Sequence, residues 1–260
     1  MIDIKLPDLL LGFIILILPL MVFFYYRVRL VKTLFVSVIR MILQLGLVAA
    51  YLELIFEMNN AWINILWVLI MVLVSAGTVV RRVGINWRMF LGPFILAGIV
   101  SMVIIDAFFL GLIIQLDYFF EARYFVPISG MILGNSLNHN IVGLSSYFGG
   151  LFERKELYYF LLTNGGSRRQ ALRPFIREAL TKGLNPLLAT MSVIGLISLP
   201  GMMTGQILGG ASPVIAIKYQ VMIMIAIFTG CTLTLWLSIL FSGRFVFDEM
   251  GNVREDGVNG

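Results

Sequence analysis

The chain has 260 residues, of which 60% are apolar and only 13% charged, with a formal net charge of +5. Long uncharged runs recur along it, and this balance excludes a soluble globular core. The basic excess is no nucleic-acid footprint either, because the Lys and Arg residues lie in short runs between apolar segments, where they act as topology signals.

Residues 9–26 form the first apolar run, which at about 1.5 Å per residue just crosses a hydrocarbon core of roughly 30 Å. The flank before it sets Asp3 and Asp8 against Lys5. It therefore lacks the basic start of a cleaved signal peptide, no small-residue cleavage site follows, and a retained span is expected. Further spans are expected at about 33–55, 61–80, 91–116, 125–148, 184–208 and 213–242. The predicted fold is all-α, a polytopic membrane protein with seven transmembrane helices and no soluble domain.

Seven spans put the termini on opposite sides. Alternate connections hold Arg27, Arg29 and Lys32, then Arg81, Arg82 and Arg88, then seven basic residues within 151–184, then Arg244 and Arg254. Fifteen of nineteen Lys and Arg residues thus fall on one side. The positive-inside rule makes that side cytoplasmic, with the N-terminus outside and the C-terminus cytoplasmic, in the cell (inner or plasma) membrane. Residues 1–242 read as a single transmembrane domain. Residues 243–260 are polar, Gly-bearing and without periodicity, and read as a flexible cytoplasmic tail.

Buried polar residues each cost free energy and so call for a role. An Arg or Asp at mid-bilayer costs roughly 2.5 to 3.5 kcal/mol on insertion scales, so Arg40, Gln44 and Asp106 are expected to face other helices or a cavity. Arg40 and Gln44 lie four apart on one face of the second span. Asn135, Asn138 and His139 share a face of the fifth, with Asn140 beside them. Two readings stand: a polar translocation path, or interhelical hydrogen bonds that hold the bundle together. His139 is a candidate metal ligand, though it has no Cys, Asp or Glu near it in sequence to complete a metal site. Most of the fourteen methionines read as adaptable apolar filler, with Met202 and Met203 the pair to test as soft-metal ligands. The single cysteine, Cys231, allows neither an internal disulfide nor a thiolate metal cage.

Residues 151–184 are the one long polar run, an amphipathic elbow carrying Arg154, Lys155, Arg168, Arg169, Arg173, Arg177 and Lys182. Asn164-Gly165-Gly166 reads as a helix stop, and Ser167 with Gln170 as the capping box of the next helix. Ala171, Leu172, Phe175, Ile176, Ala179 and Leu180 recur at helical spacing. Pro174 is expected to break that helix near Arg173 and keep it short.

Beyond the elbow, Pro200 is expected to kink the sixth span and Pro213 to open the seventh. Gly201, Gly205 and Gly209 stand four apart, a tandem G-x-x-x-G that exposes bare backbone for close helix contact. The alternative is a Gly-rich outer loop.

Leu199-Pro200-Gly201-Met202-Met203-Thr204-Gly205, followed by Ala216-Ile217-Lys218-Tyr219-Gln220, resembles the signature of the FetB-type iron-export permease family of ABC transporters. Arg40 to Gly46, Pro127 to Ser136 and Gly165-Gly166-Ser167 to Ala171 are similar to it as well. The likeness covers most of the chain from the second span onward, departing at Asn164 and at Asn138, His139 and Asn140. It implies a transmembrane permease subunit that exports iron or a related metal ion and pairs with a separate nucleotide-binding ATPase. Plant relatives linked to aluminium tolerance and nucleotide-sugar transport leave the substrate open.

The chain lacks a G-x-x-x-x-G-K-[ST] phosphate loop, so ATP is expected on the partner and no cofactor on this chain. Combining both readings, Gly165, Gly166, Ser167, Arg168, Arg169, Ala171 and Arg173 are the expected ATPase-coupling residues. Arg40, Gln44, Asp106, Asn135, Asn138 and His139 are the expected substrate path. One chain is half of such a transporter, so a twofold homodimer in the lipid bilayer is expected. An ATP-independent secondary ion transporter or channel, with a relay through Arg40, Asp106 and His139, is the alternative. An embedded enzyme would need a convergent acid, base or nucleophile, which His139 and Asp106 alone do not make, so no enzymatic role is expected.

Overall fold

A computed structural model of the chain describes residues 5–248 and 251–254. Among them the structure is helical with no strand, and internal contacts divide the chain into two units, Met1–Met58 and Asn59–Gly260.

The first unit holds α1 (Leu6–Gly12), a 3₁₀ turn (Phe13–Leu16), α2 (Ile17–Tyr25) and α3 (Val31–Met58). The tightened turn has a local cause: Pro19 has no N–H to give the Ile15 carbonyl four residues back, so the i→i−4 ladder fails there. Of the side chains described in this unit only Ile55 is buried. The many exposed Leu, Ile, Val and Phe side chains of this unit suit acyl chains.

The second unit begins with α4 (Ala61–Val83) and α5 (Trp87–Asp106). Asn60 accepts from the Trp62 N–H at 2.9 Å to start α4, Gly84 ends it at φ 78°, and Asn86 accepts from the Arg88 N–H at 3.0 Å to start α5. These are side-chain caps satisfying orphan backbone donors. After Asp106 the helix widens into a π-helical stretch, Ala107–Ile114. There follow α6 (Ala122–Glu153), α7 (Lys155–Thr163), α8 (Arg168–Val193), α9 (Gly201–Leu208) and α10 (Pro213–Val246). Helices α5 and α6 pack on α10, α4 lies against both α5 and α6, and α8 lies along α6. The core gathers Phe90 and Phe94 of α5, Leu144, Tyr147, Phe148 and Leu151 of α6, Ala171, Phe175 and Ala179 of α8, and Leu235 and Ile239 of α10. Phe90 meets Phe148 edge-on at 5.1 Å between centroids.

Helices α6 and α8 approach each other closely. A Cβ on Gly183 would lie 3.1 Å from the His139 carbonyl oxygen and 3.2 Å from the Gly143 Cα. One on Gly143 would lie 3.2 Å from the Ala179 carbonyl oxygen and 2.6 Å from a Leu235 methyl. Backbone meets backbone there, as small-residue contacts between membrane helices allow.

Among the described residues five helical segments are long and apolar enough to cross a membrane, namely Pro7–Tyr25, Val31–Met58, Ala61–Val83, Trp87–Ile114 and Pro213–Val246. The other two expected spans differ. Helix α6 is long enough, at 32 residues, but its Asn and His residues lower its hydropathy. The expected span 184–208 is interrupted: α8 ends at Val193, Gly195 turns the chain at φ 84°, its N–H bonds the Ser198 carbonyl at 2.9 Å, and Pro200 then sits at the N-cap of α9. Pro200 therefore restarts a helix where a kink was expected.

The break expected at Pro174 is also absent, since α8 runs through both Pro174 and Pro186. A proline removes one ladder bond, but Ala171, Phe175, Ala179, Gly183 and Leu187 form one buried row against the core, and that burial outweighs a single lost bond. Nor does the tandem glycine motif make a close contact: a Cβ on Gly201 or Gly205 would meet nothing within 4 Å, and Gly209 is only the C-cap of α9.

The expected flexible tail begins differently as well. Helix α10 continues to Val246, and Val246, Phe247 and Val253 are buried. Tyr158 donates to the Gly251 carbonyl at 3.0 Å, and the Val253 N–H bonds the Tyr159 hydroxyl at 3.1 Å. Residues 249–250 and 255–260 of that tail lie outside the described residues.

These contacts set an expectation. Gly183→Val forces its new side chain into the α6 backbone and should lower stability by about 1 to 3 kcal/mol, the range for overpacking. Gly205→Ala should change it by less than about 0.5 kcal/mol. Unfolding midpoints in detergent check both.

Candidate functional site

Two features stand out in the second unit: a polar seam among α4, α5, α6 and α10, and a basic elbow at α7 and α8. The seam starts at Asp106, which is 3% exposed. Its Oδ2 accepts from the Ser129 hydroxyl at 2.9 Å, while Oδ1 is buried without a hydrogen-bond partner. Deeper along the same helices the Ser101 hydroxyl donates to the Gly230 carbonyl at 3.2 Å and Ser136 to the Cys231 sulfur at 3.7 Å. The seam then reaches a cavity of about 20 Å³ lined in part by Ser75, Ser136, Asn140, Thr234 and Ser238. That is room for about one water, so this part of the seam holds no space for a solvated ion in this conformation.

Within the second unit the expected path residues do not converge. Of them only Asp106 lies in the seam, joined by Asn140, whose Oδ1 is buried and unpartnered. Asn135 donates back to the Met131 carbonyl of its own helix at 2.8 Å, and Asn138 is exposed. His139 turns to α8, where Nδ1–H donates to the Gly183 carbonyl at 2.8 Å. Arg40 and Gln44 belong to the first unit, on α3, and both are exposed. Met203 is buried and lines a cavity with Met191, Met224 and Gln220, whereas Met202 is half-buried and does not line it. Among the described residues no three His, Cys, Asp or Glu side chains group closely enough to hold a metal.

At the elbow the local chemistry is as its letters suggest. Gly165 sits at φ 82°, its N–H bonds the Leu162 carbonyl, and the Gly166 N–H reaches the Leu161 carbonyl at 3.0 Å. This paired closure is a Schellman stop. The capping box of Ser167 and Gln170 is complete in both directions and starts α8. Ala171 is fully buried, while Arg168, Arg169 and Arg173 are exposed. An open cavity of about 850 Å³ is lined by Leu161, Arg173, Pro174, Arg177 and Glu178 among others. Lys182, hydrogen-bonded to Glu178, and Arg154 beside it hold the Glu178 carboxyl at about 2. A carboxylate lowered in this way contributes fully above its ordinary value of 4.5 and loses that contribution only as pH falls towards 2. Being on the surface, the clamp is weak and salt-sensitive.

Several residues here escaped sequence reasoning. Ser129 is the donor to Asp106, and the only signal for it was a small hydroxyl in an apolar run. Asn64 is fully buried and its amide donates to the Phe120 carbonyl at 2.7 Å, while Asn59 accepts from the Ala122 N–H at 3.0 Å and so caps α6 from 63 residues away.

Apolar helices enclosing a hydrogen-bonded polar seam make this a multi-pass membrane protein. The chain belongs to the family described as Uncharacterised protein family UPF0014, whose profile it matches over residues 6–247. Among its relatives, UPF0014 membrane protein YjkA of Bacillus subtilis is 32% identical over 208 residues, covering 78% of this chain and 80% of that protein. Protein ALUMINUM SENSITIVE 3 of Arabidopsis thaliana is 36% identical over 192 residues, or 72% and 67% of the two chains. The probable iron export permease protein FetB of Escherichia coli is 28% identical over 246 residues, or 93% and 92%. No solved structure matches.

The Asp106–Ser129 bond gives a direct expectation. Ser129→Ala removes the donor from a buried carboxyl and should cost about 1 to 3 kcal/mol, whereas Asp106→Asn keeps an acceptor for Ser129 and should cost less. Comparing the fraction of each variant that stays monodisperse after heating in detergent would show the order, and equal losses would contradict it.

Proposed function

We propose that the chain is the transmembrane permease subunit of an ABC transporter, exporting iron or a related metal ion and energised by a separate nucleotide-binding ATPase. The elbow is the observation that carries this reading. A Schellman stop, a complete capping box and a buried Ala171 fix the start of α8, while Arg168, Arg169 and Arg173 stay exposed on it. A rigid, basic helix end with a cleft beside it is suited to seat against a partner whose closure on ATP would push on α8 and, through the Gly143–Gly183 contact, on α6. The name of the Escherichia coli relative supports iron as the cargo.

In this reading ATP binds the partner and the chain itself is no enzyme. Helix α6 and the interrupted α8–α9 stretch complete seven spans, with the N-terminus outside and the elbow and C-terminus cytoplasmic. A second copy supplies the other half of the pathway as a twofold homodimer, and Asp106 and the seam form the inner part of the route. The second reading, an ATP-independent ion transporter, is favoured by the partnerless oxygen of Asp106; it requires flux to collapse with the membrane potential while ATP is intact.

The test is purification of the tagged chain from its own membranes in mild detergent. A co-purifying P-loop ATPase with vanadate-sensitive activity is expected, and a chain that comes out alone overturns the reading. Gly166→Leu should then lower metal flux at least tenfold without loss of co-purification, because its Cβ would lie 2.5 Å from the Leu161 carbonyl oxygen and the helix stop would have to rearrange.

A further inference from the structure

The break between α8 and α9 leaves a cavity of about 430 Å³ beside it. Three methionines reach its wall from three different elements: Met191 near the end of α8, Met203 in α9 and Met224 in α10. They are three of its ten lining residues, against fourteen in the 260 of the chain, so the wall is strongly enriched in thioether. Methionine often fills irregular gaps in a core, but here the gap beside the three side chains stays open.

The rest of the wall is aliphatic or glycine apart from Gln220. That side chain is 6% exposed and its Oε1 is buried without a hydrogen-bond partner. A buried amide oxygen left unpaired is costly unless something binds it. The irregular backbone of 194–200 contributes Ile194, Gly195 and Leu199 to the wall, and irregular backbone within membrane proteins is tolerated where it lines a cavity.

The donor set selects its ligand. No carboxylate, imidazole or thiol is present in this wall, so hard cations find none of their preferred ligands and a divalent charge would stay uncompensated. The cost of moving an ion into a low-dielectric site grows with the square of its charge, so a monovalent ion pays about a quarter of the divalent cost. Thioethers are neutral, polarizable donors that favour soft ions such as Cu(I). We propose that this cavity is a binding site for a soft monovalent cation of the Cu(I) and Ag(I) class, held by the thioethers of Met191, Met203 and Met224 with the Gln220 amide oxygen beside them. The site goes beyond the ATP-driven export reading and does not depend on any partner.

Ag(I), supplied as a chloride-free salt, is the probe. The full-length chain is purified in detergent with Cys231→Ser, since a thiol would outcompete thioethers, and bound silver is counted by elemental analysis after dialysis. One Ag(I) per chain is expected, with sulfur scatterers in the silver X-ray absorption spectrum. The triple change Met191→Leu, Met203→Leu and Met224→Leu nearly conserves volume; it should weaken binding at least tenfold while the melting temperature holds. If the triple variant does not fold, the three single variants carry the test, each weakening binding. Met21→Leu, Met41→Leu and Met58→Leu together should change nothing. Equal silver uptake in both triple variants, a spectrum with only oxygen or nitrogen scatterers, or Fe(II) displacing Ag(I) at equal concentration overturns the proposal.

Discussion

Two membrane helices can bring their backbones together only where no Cβ stands between them, and the second unit depends on one such place. Gly143 of α6 and Gly183 of α8 face each other, with Leu235 of α10 seated against both. Lipid supplies no hydrophobic drive for helices to associate, so close packing has to do it. From this contact the rest is positioned. It lays the buried row Ala171, Phe175 and Ala179 along α6, brings His139 to the Gly183 carbonyl, and holds the elbow at the end of the bundle.

The polar residues show how little unpaired polarity the bundle tolerates. Hydroxyls on the helices turn back to their own backbone: Thr78, Thr190, Ser192, Thr204, Thr229 and Thr232 each donate to the carbonyl four residues earlier. This satisfies a donor without a partner helix. Asn64, Asp106, Asn140, Ser146, Gln206 and Gln220 each keep a buried oxygen unpaired. Of these, Asp106, Asn140 and Gln220 line cavities.

Features with short-range causes were legible in the letters. The stop at Gly165-Gly166 and the box at Ser167 and Gln170 need only their own few residues, and so do the apolar lengths that mark five spans. Features that depend on what lies across the interface were not. Pro174 reads locally as a breaker, yet the buried row on α8 carries the helix through it. Gly201 and Gly205 have motif spacing, yet a Cβ on either would meet nothing within 4 Å, while a close pair, Gly143 and Gly183, lies 40 residues apart in sequence. Helical spacing grouped Asn135, Asn138 and His139 on a face without saying what that face meets. Met191, Met203 and Met224 likewise come together only through the turn at Gly195. The tail looked unstructured because its apolar residues are few, and three of them, Val246, Phe247 and Val253, pack.

That packing has a mechanical meaning. Arg168, in the first turn of α8, donates to the Gly243 carbonyl at 2.9 Å and stacks over the Phe247 ring at 4.1 Å, so it grips the last turns of α10 directly. Helix α10 is 34 residues long, about 51 Å at 1.5 Å per residue. Displacement of the elbow is therefore delivered to one end of a rigid rod. The opposite third of that helix carries Gln220 and Met224, beside the broken α8–α9 segment. Helix α10 joins the elbow to the methionine-lined cavity, and because it also carries Thr234 and Ser238 of the seam, a movement of an ångström or two at Arg168 is carried past the seam on its way to that cavity.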